Sequence, residues 1–350
     1  MNSLKISPPH SENSEKNKSN NSVIRLSYID RAKGVAILLV VFGHVFCNMG
    51  YPDDESRMHL LSYQFVATFH MPLFFFLSGL VMKSGFNNIV SIGKDFVKRF
   101  RSIMIPFLSF GLSLAIFLGI TWTNLFTTHM KLGYWYLFVL MEFYLLNYLF
   151  SIFSNRTGNK WWTDALFGMC VAVCLIVLYR LMPENVWHLL SFHKVAEHYP
   201  YFFLGAFIHK HKLADKVFRN DYIFGFALLF MLFRLLFPHV EFYRRGMIQA
   251  LSMIVLIVSL LYRNESCNNV FLRQIQHLGF SSLDIYVIHG FVFAMSNICF
   301  LRLFLDSQYY SVLGEITIGL IITLPIAYIS MWIGKMLREN RLLQKLIFNK

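Results

Sequence analysis

Lys33 and His44 stand eleven residues apart in Asp30-Arg-Ala-Lys-Gly-Val-Ala-Ile-Leu-Leu-Val-Val-Phe-Gly-His44, an otherwise apolar run. At about 100° per residue, eleven steps turn a helix through three circles plus roughly 20°. The two residues therefore share a face, about 16 Å apart along the axis. Asp30 falls near the same face. An ammonium at the start of a membrane span and an imidazole deep within it are costly in lipid. They imply a polar, water-accessible interior and a functional site. A neutral imidazole can accept a proton near pH 7, and a lysine can bind an anion.

Other ionisable residues sit in apolar surroundings. His70, in Phe69-His70-Met71-Pro72-Leu73, is near the outer end of a second span, at a depth similar to that of His44. The two approach each other if the helices form a hairpin. His70 reads equally well as an interfacial histidine bonded to backbone. Asn48, at i+4 from His44, is placed to orient its ring. Lys98, Arg99 and Arg101 form a basic cluster suited to phosphate groups, or to anchoring on anionic lipid. Glu142 and Arg234 read as the deepest charges, each needing a partner or water. Asp284, His289 and Glu315 complete the candidates. Trp135 and Tyr136 read as an interfacial aromatic belt. His188, His193 and His198 recur every five residues, the wrong period for one helical face, so no metal site is expected there.

The elements that must position these residues follow from composition. Of 350 residues, 56% are hydrophobic and 15% charged, against about 25% charged in soluble chains. An all-α integral membrane fold of about ten helices follows. The expected spans are 33–50, 65–82, 102–122, 133–153, 163–181, 198–209, 221–238, 246–262, 280–301 and 312–334. The sixth is short and could begin near Trp187. Residues 1–24 read as a disordered tail, 25–337 as one membrane domain and 338–350 as a basic tail. Alternate loops hold 24 and 7 of the 32 Lys and Arg. That bias puts both termini in the cytoplasm. It also assigns the net charge of +13 to a membrane face, so nucleic acid is excluded as a partner. The five cysteines form no CxxC and read as buried small hydrophobes. Nucleotide-binding loops, nucleophile elbows and zinc-protease motifs are absent from the sequence.

These residues together resemble a known family. Asp30-x-x-Lys33 through His44 is similar to the first-span motif of acyltransferase family 3, the integral-membrane O-acyltransferases. Phe69 to Gly79 resembles its second-span motif, and Lys98-x-x-Arg101 with Pro106 its basic motif. Gly133-Tyr-Trp-Tyr-Leu137 and Ser282 to His289 resemble weaker later motifs. The family's usual arginine is Lys33 here, a point charge without a bidentate fork. The resemblance implies an inner-membrane enzyme with no bound cofactor. Acyl-CoA, most often acetyl-CoA, would be the donor, and a sugar or lipid-linked glycan hydroxyl the acceptor. His44 would be the general base or the acyl carrier, Lys33 would position the donor, Asp30 would orient Lys33, and Lys98, Arg99 and Arg101 would bind CoA. A transporter or flippase for a lipid-linked saccharide is the alternative.

Overall fold

The computed structural model describes residues 26–49, 60–83, 85–86, 88–237, 246–296, 298 and 312–348. The tail at 1–24, Cys299 and most of the loops at 50–64, 239–245 and 302–311 lie outside them. The described residues are helical, with no strand: α1 Ser27–Asn48, α2 Leu61–Ala67, α3 His70–Leu80, α4 Ile89–Phe117 and α5 Asn124–Thr127. A 3₁₀ turn at Lys131–Gly133 leads to α6 Trp135–Arg156, α7 Trp161–Leu181, α8 Glu184–Leu189, α9 Phe192–Lys210 and α10 Ala214–Phe218. Then come α11 Asp221–Leu236, α12 Met247–Arg263, α13 Val270–Phe280, α14 Ser282–Met295 and α15 Val312–Glu339. A short α16, Arg341–Leu343, and a π turn, Gln344–Phe348, end the described chain.

Each apolar segment read from the sequence falls on a helix or helix pair. Leu61–Leu80, Ile89–Phe117, Trp135–Arg156, Trp161–Leu181 and Val312–Glu339 are long and apolar enough to cross a membrane. The pair α13 and α14, bent by 77°, makes a sixth if counted as one broken span. The span expected over 65–82 is interrupted at Thr68–Phe69 and restarts at His70. Pro72 suits the break, because it has no N–H to give the Thr68 carbonyl and in the first turn of α3 that loss costs little. The short sixth segment belongs to α9, which begins at Phe192. Residues 270–279, which fall between two expected spans, belong to α13. Their polar residues alternate with Leu272, Ile275 and Leu278, so average hydropathy is low while the period is helical.

The buried centre is α1, which packs against α2, α3, α12, α13, α14 and α15. Ala32, Ala36, Ile37, Val41, Val45 and Phe46 on it are fully buried. Its closest neighbour is α13. Gly34 lies against the Ile275 carbonyl and Gly279 against the Asp30 carbonyl, and neither leaves room for a Cβ. A second small-residue crossing joins α3 and α9, where Gly79 meets Phe202 and Gly205 meets Phe76. By contrast, α7 buries only Asp164, Gly168 and Leu175, and α11 only Ala227 and Met231. Their outward faces are apolar, as lipid contact demands. Cys170 and Cys174 are exposed on α7, and Cys267 is exposed too, so these thiols are not the buried residues expected. An apolar sequence context does not tell core from lipid.

Polar groups within the bundle are mostly bonded to it. Glu315, fully buried, accepts from the backbone N–H of Leu61 at 3.2 Å and Ser62 at 2.7 Å. It caps α2, which has no side-chain cap of its own. Asp284 is held bidentately by Arg338, with Nε donating to Oδ2 at 2.8 Å. The same guanidinium lies over the Phe348 ring, 3.8 Å from its centre. These contacts make Glu315 and Asp284 structural. Arg338→Met should lower stability by about 3 kcal/mol, because it strands a buried carboxylate. The double variant with Asp284→Asn should recover much of that loss in a thermal melt. Equal melting of wild type and Arg338→Met would remove the pair from the stability account.

Candidate active site

Helix α1 carries His44 to a half-buried position on its last turns, with Lys33 half-buried three turns earlier. The ring packed against His44 belongs to His289 of α14, at 4.9 Å between centroids and an interplanar angle of 61°. His289 is 6% exposed. Its Nδ1 lies 3.0 Å from the Ile285 carbonyl and donates to it, which leaves Nε2 as the acceptor. Two histidines from different helices thus meet edge to face in the bundle interior.

The two weakest sequence motifs turn out to be one interface. Tyr286 Oη donates to the Gly133 carbonyl at 2.8 Å, and Tyr134 Oη donates to the Val287 carbonyl at 2.9 Å. These reciprocal bonds fasten the start of α6 to α14 beside His289. Tyr136 packs on Tyr286 at 5.4 Å and meets Ser78 Oγ at 2.9 Å. Sequence reasoning assigned no role to Tyr134 or Tyr286. The only available signal was two tyrosines in motifs 150 residues apart.

Several expectations are corrected. Trp135 and Tyr136 are each 8% exposed and pack on Phe75, so they are core residues and not an interfacial belt. Asn48 donates through Nδ2 to the His44 carbonyl at 2.8 Å, a bond along the helix that leaves the imidazole to other partners. The ring observed against His44 is that of His289, whereas His70 Nδ1 bonds to the Val66 carbonyl at 2.9 Å. That is the backbone-bonded alternative foreseen for it. Arg234 lies in the last turn of α11 and is no deep charge. Glu142 on α6 couples to Lys131, and its buried Oε2 has no hydrogen bond.

The basic cluster divides in two. Arg99 donates to Asp95 Oδ2 at 2.7 Å, which also accepts from Tyr148 at 2.9 Å, and its guanidinium lies over Tyr144 at 4.6 Å. It fastens α4 to α6. Lys98 and Arg101, three residues apart and on one face, are exposed and make no ion pair among the described residues. Helical spacing alone contains this split, since Arg99 lies about 100° from Lys98. Among the described residues no group of His, Cys, Asp and Glu could hold a metal ion.

Residues 26–332 match the family model described as "Acyltransferase domain". The chain belongs to acyltransferase family 3 and is a multi-pass membrane acyltransferase. No curated protein and no solved structure matches it.

Arg99→Ala should lower the melting temperature clearly, because Asp95 and the Tyr144 ring lose their shared partner. Lys98→Ala with Arg101→Ala should stay within about 0.5 kcal/mol of wild type, as exposed positions do. Similar melting of both variants would rejoin Arg99 to its neighbours.

Proposed function

We propose that the protein is an inner-membrane O-acyltransferase. It moves an acyl group, acetyl being the expected one, from cytoplasmic acyl-CoA to a hydroxyl of a sugar or cell-surface polysaccharide precursor. The observation that carries the reading is the His44–His289 pair inside a family 3 acyltransferase.

His44 acts as general base. Its neutral ring takes the acceptor hydroxyl proton as that oxygen attacks the thioester carbonyl. The tetrahedral intermediate collapses, the C–S bond breaks and the proton passes to the departing CoA thiolate. His289 offers Nε2 as a hydrogen-bond acceptor beside His44, because its Nδ1–H is spent on Ile285. It can therefore fix the tautomer and rotation of the base, as a third group does in nucleophile–base pairs. Lys33 positions the donor along the same face of α1, and Asp30 orients Lys33. Lys98 and Arg101 meet the CoA phosphates at the cytoplasmic mouth, where the loop charge bias places them. Arg99 leaves this donor-binding set because it is spent on α6.

His44→Ala, with normal membrane insertion and melting, should lower acetyl transfer from radiolabelled acetyl-CoA by about 10²-fold or more. His289→Ala should lose less and shift the pH–rate profile. Full transfer by His44→Ala would remove it from the mechanism. Saccharide movement across vesicles with no acyl donor would favour the transporter reading.

A further inference from the structure

The corner between α5 and α6 is built in a way that acyl transfer at His44 does not require. Lys131 and Leu132 take φ of 47° and 54°, and Gly133 follows at 92°. Consecutive non-glycine residues in the left-handed region are strained. Such strain persists only where the surroundings over-determine it. Lys131 is fully buried, and its ammonium bonds to the carbonyls of Phe126 at 2.7 Å and Leu189 at 2.7 Å. It also reaches those of Thr128 and His188, each at 3.3 Å. A fixed cation thus ties α5 to the end of α8. Ser191, itself at φ 50°, donates to the His129 carbonyl at 3.0 Å. On its other side the corner is fastened to α14 through Gly133 and Tyr134.

An open surface cleft of about 490 Å³ lies here, lined by Thr127, Thr128, His129, Met130, Leu132 and His188. That is within the range of small-molecule sites, about 300–1,000 Å³. The hydroxyl hydrogens of Thr127 and Thr128 are spent on the Thr123 and Asn124 carbonyls, which leaves their oxygens as acceptors. The His129 and His188 rings lie 5.2 Å apart, and His188 stacks on Trp187 at 4.0 Å. Burial, then the positive field of His188, Lys194, His193 and Lys131, lowers the proton affinity of His129 and keeps it neutral. A neutral imidazole donates at one nitrogen and accepts at the other. Met130 and Leu132 add apolar surface. The charge of Lys131 is occupied by carbonyls, so the lining offers no free cation to a phosphate.

We propose that this open cleft is the acceptor subsite and holds the neutral hydroxyls and C–H faces of a saccharide. The proposal rests on the acyltransferase reading and assigns the two substrates to different ends of the protein. A phosphate-rich donor suits the exposed Lys98 and Arg101. An uncharged polyol suits paired imidazoles, hydroxyl oxygens and an apolar floor. The bonds from Gly133 and Tyr134 to α14 hold the subsite in register with His289.

The test uses the full-length protein in nanodiscs, with a neutral-oligosaccharide array and radiolabelled acetyl-CoA as probes. Wild type should retain at least one neutral glycan. His129→Ala and Thr128→Val should each weaken it about tenfold, the loss of roughly one hydrogen bond, with acetyl-CoA affinity unchanged. Absence of any retained glycan, or wild-type affinity in both variants, would overturn the subsite. Glycan binding that responds to these substitutions, in a protein that binds no acetyl-CoA, would support the subsite and overturn the transferase reading separately.

Discussion

The rest of the architecture depends on the backbone-to-backbone crossing of α1 and α13. Gly34 and Gly279 let the two helices touch without side chains between them. The chain then bends by 77° and continues as α14. One crossing and one bend therefore fix where His289 stands, and it stands against His44. A membrane interior supplies no hydrophobic force between helices, so close van der Waals packing of small residues has to do this positioning. The same logic recurs at Gly79 and Gly205, which seat α3 against α9 and carry Phe75 to Trp135 and Tyr136.

Burial of ionisable groups divides them by use. Glu315 serves the first N–H groups of α2, Asp284 serves Arg338, and Lys131 serves four carbonyls. Each is costly in low dielectric and each is satisfied by the protein itself. His44 and His289 differ: they face one another as rings, with acceptor capacity left over on His289. Lys98 and Arg101 differ in the opposite sense, since they are exposed and make no ion pair among the described residues.

Much of this was legible in the sequence. Helical periodicity alone put Lys33 and His44 on one face of α1, and the motif spacing gave the family. What hydropathy could not give was partner choice. His70 was the histidine expected beside His44, and the bend after Gly279 brings His289 there instead. Glu142 and Arg234 looked like equals, yet one couples to Lys131 and the other ends a lipid-facing helix. Trp135 and Tyr136 carried an interfacial composition but pack in the core, because the reciprocal bonds of Tyr134 and Tyr286 draw the start of α6 inward. The amphipathic α13 was invisible to an average and visible to a period.

The central claim is that the acyl group is delivered to the α1–α14 histidine pair. The most direct measurement is photolabelling with an acyl-CoA that carries a diazirine at the acyl terminus, followed by peptide mass spectrometry. The account predicts label on residues around His44 and His289, competed away by acetyl-CoA. Specific label confined to α7, α11 or the α5–α8 corner, with none on α1 or α14, would contradict it.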